Sequence, residues 1–174
     1  NYPNDGRIEI TLNPKESKAF KLHLRIPTWT GKQFVPGKLY RYINPVESKW
    51  QITVNGKIVP ADIKKGFAVL NRKWKTGDQV ILDMPMPLRL NECDQRVEEN
   101  LNRLAFTRGP FVLCAEEVDN GGATQRFFLN EVPEVRKADL SLVALPAGSF
   151  LRIDSESNAV TESGGQEKRK LSLT

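Results

Sequence analysis

The 174-residue sequence has one histidine, two cysteines and no long hydrophobic run. Each scarcity excludes something. A single histidine, His23, leaves a Ser/His/Asp or Cys/His unit no choice of base. Two cysteines, Cys93 and Cys114, cannot build a disulfide scaffold, and no C-x-x-C pair offers a zinc site. Both are expected as free, buried thiols, because Cys114 sits inside an apolar run; one bridge between them is the alternative. No stretch approaches the roughly 18 consecutive apolar residues that a membrane-spanning helix needs. The start, NYPNDGRIEI, carries no basic segment followed by an apolar core, so no secretory signal is read. Asn1 is not an initiator methionine, and the chain reads as a piece of something longer.

Charge is more plentiful. The formal net charge is +5. A nucleic-acid footprint needs Lys and Arg clustered on one face, preferably with stacking aromatics. Here the basic residues are spread through the sequence, and only Lys168-Arg169-Lys170 forms a run. A solvated surface is expected, without a nucleic-acid partner.

The dominant pattern is alternation. Ile8, Ile10 and Leu12 share one face of a strand. Phe20, Leu22, Leu24 and Ile26 alternate with Lys21, His23 and Arg25, which should point to solvent. Asn55-Gly56 between apolar runs predicts a β-hairpin, because both turn residues need positive φ. Further strands are expected at Gly66–Leu70, Gln79–Asp83 and Leu88–Leu90. The densest apolar stretch is LNRLAFTRGPFVLCAEEVDN, residues 101–120. Leu104 and Phe106 alternate with polar neighbours, whereas Phe111-Val112-Leu113-Cys114 is continuously apolar and predicts a strand buried on both faces. Gly109-Pro110 between them predicts a bend or bulge. Beyond Gly121-Gly122, read as a joint, strands are expected at Arg126–Leu129, Leu140–Leu145, Phe150–Ile153 and Leu171–Leu173. Residues 155–166, rich in Ser, Glu and Gly, predict a mobile loop. Residues 28–48 read as a long aromatic-rich connection, and residues 91–102 as a loop or one helical turn.

About ten short strands with regular turn signals and no long helical period predict an all-β fold, a β-sandwich or jelly roll. Residues 1–120 form the main sandwich. Residues 121–174 form a smaller second β unit that reads as the start of a truncated C-terminal domain.

Chemistry is thin. Cys114 beside Glu116 and Glu117 suggests a nucleophile with an acid, but two neighbouring carboxylates would repel the thiolate that such a cysteine needs. Glu98-Glu99 and Glu116-Glu117 are adjacent pairs, and adjacent residues on a strand face opposite ways, so neither doublet makes the facing carboxylate pair of glycoside hydrolysis. No catalytic, cofactor or metal residue is assigned. Trp29, Trp50 and Trp74 are expected to pack rather than to form a sugar platform. The candidate interface or sugar contacts are Trp29, Phe34, Tyr40 and Tyr42, in the long connection.

Seven motifs in order carry a resemblance. They are Tyr2-Pro3-x-x-Gly6, Leu24-Arg25-Ile26-Pro27-x-Trp29, Val54-Asn55-Gly56, Gly66-Phe67-Ala68-Val69-Leu70, Trp74-x-x-Gly77-Asp78, Met84-Pro85-Met86-Pro87 and Thr107-Arg108-Gly109-Pro110-x-Val112-x-Cys114-x-Glu116. Together they resemble the C-terminal β-sandwich region of glycoside hydrolase family 127, the β-L-arabinofuranosidase family, over roughly residues 2–120. The resemblance implies an upstream helical-barrel catalytic domain as partner. It also implies that the family's cysteine nucleophile, acid/base glutamate and zinc ligands belong to that barrel, so this chain holds no cofactor of its own. Two roles follow: a non-catalytic support for the barrel, or a carbohydrate-binding module that takes arabino-oligosaccharide on the aromatics of residues 28–48. An independent enzyme is the third and weakest reading. No compartment is assigned.

Overall fold

The computed structural model describes residues 2–44, 46–122, 124, 127–128, 139–145, 148–160 and 164–173. The chain divides into two compact units, Asn1–Pro110 and Phe111–Thr174. Among the described residues it is all-β, with one four-residue α-helix.

The first unit holds ten strands: β1 (Arg7–Leu12), β2 (Lys18–Arg25), β3 (Tyr40–Tyr42), β4 (Gln51–Val54), β5 (Lys57–Ile58), β6 (Ile63–Lys64), β7 (Phe67–Trp74), β8 (Asp78–Asp83), β9 (Leu88–Cys93) and β10 (Leu104–Arg108). They form three antiparallel sheets. One runs β1-β8-β4-β5, one β2-β7-β6, and one places β9 between β10 and β3. The first two face each other across one core. Ile52, Val54, Val80 and Leu82 come from one side, and Leu24, Ala68, Leu70 and Trp74 from the other, with Ile26, Trp29 and Met84 filling in. Alternation explains why. On β2, Leu24 is buried while Lys21, His23 and Arg25 are exposed, as a half-buried strand requires.

The Asn55-Gly56 turn has φ of 50° and 76°, and it joins β4 to β5 in the register Val54↔Lys57. Asn55 does more than turn. Its Nδ2 donates to Asp78 Oδ1 at 2.9 Å, and its Oδ1 accepts from the Gln79 amide at 2.8 Å. The Lys75 amide donates to the other Asp78 oxygen at 2.9 Å. These bonds, Asn55 first, hold the buried Asp78 carboxyl below its ordinary value of 3.8. A carboxyl depressed by folding contributes stability that is complete above the unfolded value and is lost as pH falls through the lower folded one. Asn55→Gly keeps the positive φ but removes the side-chain donor. The variant is expected to be less stable than the parent at neutral pH. The gap between their urea midpoints should narrow as the pH drops below about 3.8 toward 2. A gap of constant size across that range would show that the Asn55–Asp78 bond does not discriminate between the two protonation states.

Several expectations are corrected in this unit. Residues 28–48 are not one structureless connection: Thr28–Thr30 is a 3₁₀ turn, and β3 pairs with β9 at Tyr40↔Cys93 and Tyr42↔Asn91. A three-residue strand is too short to show alternation. Residues 91–93 extend β9, and the helical turn falls at Glu98–Asn100. Arg72, Lys73 and Trp74 continue β7 instead of leaving it. A second tight hairpin went unread: Lys65 (φ 52°) and Gly66 (φ 78°) join β6 to β7 with Lys64 opposite Phe67. Lysine is a rare occupant of the left-handed region, so the turn carried no sequence signal. Gly109 turns the chain after β10 with φ 55°, and a Cβ there would also press on the Met86 thioether.

The second unit contains β11 (Phe111–Leu113), α1 (Glu117–Asn120), β12 (Phe127–Phe128), β13 (Asp139–Leu145), β14 (Gly148–Val160) and β15 (Gln166–Leu173). β14 pairs antiparallel with β12, β13 and β15. The expected doubly buried run alternates instead. Phe111 is half-buried, Val112 is 54% exposed, Leu113 is 7% exposed, and Cys114 is exposed rather than buried. Cys93 is half-buried, and both thiols are free. Gly121-Gly122, read as a joint, caps α1. Gly121 is left-handed at φ 65°, and the Gly122 amide donates to the Glu117 carbonyl at 3.0 Å.

The mobile loop expected over residues 155–166 is a second correction here. Residues 155–160 belong to β14, and Gln166 opens β15; residues 161–163 lie outside the described residues, as do Arg126 and Leu129 of the expected strand there. Polar composition misled because a ladder needs backbone pairing and not apolar side chains on both strands. Here it runs without a break from Ile153↔Leu173 to Val160↔Gln166. Asn120 ties α1 to β15: its Oδ1 accepts from the Ser172 amide at 2.7 Å, and its Nδ2 donates to the Ser172 carbonyl at 3.0 Å.

Candidate functional site

The outward face of the β2-β7-β6 sheet is concave. β2 and β7 pair over their full lengths, from Lys18↔Trp74 to Arg25↔Phe67. The side chains that alternate with the core residues therefore collect on the other side. Lys21 stands opposite Asn71, His23 opposite Val69, and Lys64 opposite Phe67. With Asp62 and Lys65 they line an open cavity of about 550 Å³. Phe67 is 37% exposed. The His23 ring meets it edge-on at 6.2 Å, and the Arg25 guanidinium lies over it at 5.4 Å. Arg25 also donates to the Gly66 carbonyl at 2.8 Å, which fixes the Lys65-Gly66 turn against β2.

Charge on this surface is one-sided. Lys21, Lys64 and Lys65 face a single carboxylate, Asp62, and among the described residues none of the three lysines forms an ion pair. The basic residues looked scattered along the chain, yet pairing brings Lys21 and Lys64 onto one surface. The signal that could have found it was the outward row Lys21, His23, Arg25 on β2. The lining contains no Ser, Thr or Cys, so it offers His23 no hydroxyl or thiol to activate.

The four aromatic candidates lie elsewhere, and none is fully exposed. Trp29 is 8% exposed and belongs to the core; Phe34 is half-buried against the same core. Tyr40 accepts a hydrogen bond from Asn100 Nδ2 at 3.3 Å. Tyr42 donates to the Trp29 carbonyl at 3.4 Å and lies under the Arg89 guanidinium at 5.1 Å. Burial pushes the Tyr42 phenol up and the Arg89 guanidinium down from their ordinary values. Arg89 is 6% exposed, with long hydrogen bonds to the Asn44 carbonyl (3.4 Å) and Ser48 Oγ (3.5 Å). Asn91 beside it on the strand donates to Thr107 Oγ1 at 2.9 Å. Tyr42 thus belongs to a buried polar cluster on the β10-β9-β3 sheet. Trp74 is fully buried and Trp50 half-buried against the core, so the tryptophans pack. Glu98, Glu99, Glu116 and Glu117 are all exposed. Among the described residues no three His, Cys, Asp or Glu side chains come together as a metal site requires, so the zinc of the family resemblance finds no fitting donor set here.

Comparison with known proteins defines the class: the chain carries two domains of a glycoside hydrolase family, and their boundary falls before β9 rather than at the division between the two compact units. Residues 1–86 match the description "Beta-L-arabinofuranosidase, GH127 middle domain", and residues 88–156 match "Glycoside hydrolase family 127 C-terminal domain". The chain belongs to glycoside hydrolase family 127, in its middle and C-terminal domains. It is similar to a non-reducing end β-L-arabinofuranosidase of Bifidobacterium longum subsp. longum, with 29% identity over 125 residues, 70% of this chain and 17% of that protein. Among solved structures, a GH127 β-arabinofuranosidase aligns with a TM-score of 0.86 at 29% identity, over 99% of this chain and 27% of that one. A GH127 β-L-arabinofuranosidase from Geobacillus stearothermophilus T6 aligns at 0.80 and 30% identity, over 99% and 26%. The chain therefore spans about a quarter of the solved enzymes it matches and less of the curated one.

Proposed function

We propose that this chain is the non-catalytic accessory β-region of a β-L-arabinofuranosidase-like hydrolase, whose chemistry is carried by a separate helical-barrel domain of the parent protein. The observation that carries this reading is coverage. The chain aligns over 99% of its length with structures of enzymes roughly four times longer, and its residues 1–86 and 88–156 match the family's middle and C-terminal domains. The geometry supports it. The concave face pairs one histidine with no nucleophile, and the paired glutamates are solvent-exposed neighbours in sequence rather than carboxyls facing across a cleft.

A binding module on the residues 28–48 aromatics is the less supported role, because Trp29 is packed in the core and Tyr42 is held in a polar cluster. The test uses the chain and the remainder of the parent as separate proteins. The chain alone should show no turnover of a chromogenic β-L-arabinofuranoside. Its Tm should rise when the remainder is added, because a partner that binds only the folded state stabilises it by mass action. Turnover that persists through purification of the chain and disappears in Glu116→Ala or Glu117→Ala would defeat the proposal.

A further inference from the structure

From the basic concavity on the β2-β7-β6 sheet we infer a binding site in this chain, one that takes a carboxylated saccharide, a short oligomer containing uronic acid. The inference rests on the accessory reading above, and it moves sugar contact away from the residues 28–48 aromatics. Four features of the surface point to this ligand.

The first is shape. A concavity of about 550 Å³ falls within the range of small-molecule sites, about 300–1,000 Å³, and is a poor match for the broad, flatter contact of a protein partner. The second is charge. An ordinary solvated sheet face interleaves both signs. Here Lys21, Lys64 and Lys65 stand with one carboxylate and make no ion pair among the described residues, so a negative group brought among them meets uncompensated ammonium groups.

The third is the division of labour. Phe67 is 37% exposed with Arg25 over its ring, so its uncovered part offers apolar contact to sugar C–H groups rather than a stacking face, and the Asn71 amide on the next outward-facing position but one supplies a donor and an acceptor for hydroxyls. The fourth is the lack of a free arginine fork. Arginine grips a single carboxylate or phosphate with two parallel bonds. The arginine on this face, Arg25, already donates to the Gly66 carbonyl and covers Phe67. What remains are lysine point charges, sufficient for isolated carboxylates spaced along a sugar chain.

The experiment titrates the chain by calorimetry with trigalacturonate, its fully methyl-esterified form, an oligoglutamate of equal charge, and a dextran sulfate of similar length. Trigalacturonate should bind at least tenfold more tightly than the ester, which has the same rings without the charge. Lys21→Gln combined with Lys64→Gln, both at exposed positions, should weaken it at least tenfold without lowering Tm. Phe67→Ala should weaken the ester and the acid alike, a readout that charge alone would not move. Equal binding of acid and ester, or no effect of the double substitution, would overturn the inference. Oligoglutamate matching trigalacturonate would turn the face into a docking surface for acidic protein, and tighter binding of dextran sulfate would make it a general polyanion surface; either result overturns the saccharide assignment. The double variant should still gain Tm from the remainder of the parent. Loss of sugar binding with that gain intact fails only this inference, and absence of the gain with sugar binding intact fails only the accessory role.

Discussion

Gly6→Ala is expected to destabilise the first unit by at least ~4 kcal/mol, among the largest effects a single methyl group can have. The cause is backbone against backbone. A Cβ on Gly6 would sit well inside 3.0 Å of the Met84 carbonyl oxygen. Neither side can retreat. The Met84 amide donates to the Gly6 carbonyl at 3.0 Å, which continues the β1–β8 ladder one step beyond Arg7↔Asp83. The Met84 side chain is 1% exposed and fixed in the core. Relieving the clash therefore means opening the end of the ladder and withdrawing a core side chain together. The loss should appear as a lower urea midpoint with an unchanged slope. A midpoint that moves by less than about 1 kcal/mol equivalent would mean that the two segments slide apart at little cost.

Trp74→Ala is expected to cost about 3–5 kcal/mol, the range for emptying a large aromatic site. Trp74 has 0% exposure and closes the end of β7 inside the core. Phe20 lies 6.0 Å away, tilted by 37°, and the Arg72 guanidinium stands over the indole at 5.2 Å. The indole N–H donates to the Phe20 carbonyl at 3.1 Å, a bond that ties β7 to β2 outside their ladder. Trp74→Phe separates the contributions, because it keeps an aromatic ring and loses the donor; its expected cost is about 1–3 kcal/mol. Equal losses for the two variants in chemical denaturation would assign the whole effect to the hydrogen bond, and a negligible loss for Trp74→Ala would refute the packing argument.

Where local chemistry determines conformation, the residues announced it. β2 was legible because Phe20, Leu22, Leu24 and Ile26 keep a strict period of two against Lys21, His23 and Arg25, and one face of the strand is buried. Asn55-Gly56 was legible because its turn type demands positive φ at both positions. The all-β character and the family followed from several such signals in series.

What stayed hidden depends on partners distant in sequence. Val112 and Cys114 look like core residues by composition, and only the structure shows them exposed. β3 is three residues long and exists because β9 is there to pair with it. The basic concavity follows the same rule. Lys21 and Lys64 are far apart in sequence and meet only because β7 pairs with β2 on one edge and β6 on the other. Reading the site therefore required the register, and register is a property of the folded sheet rather than of any one segment.

The thirteen residues of β14 give the second unit pairings of unequal entropic cost. β15 pairs along residues 153–160, and β12 and β13 follow one another along the opposite edge at residues 158–159 and 148–154. The β13 and β15 contacts begin at short loop closures, Leu145↔Gly148 and Val160↔Gln166, which cost little chain entropy. β12 must reach back from Phe127 to Ala159 for only two paired positions. Loop-closure entropy therefore favours the β13–β14 and β14–β15 ladders over the β12–β14 pairing, whose partners are far more distant in sequence.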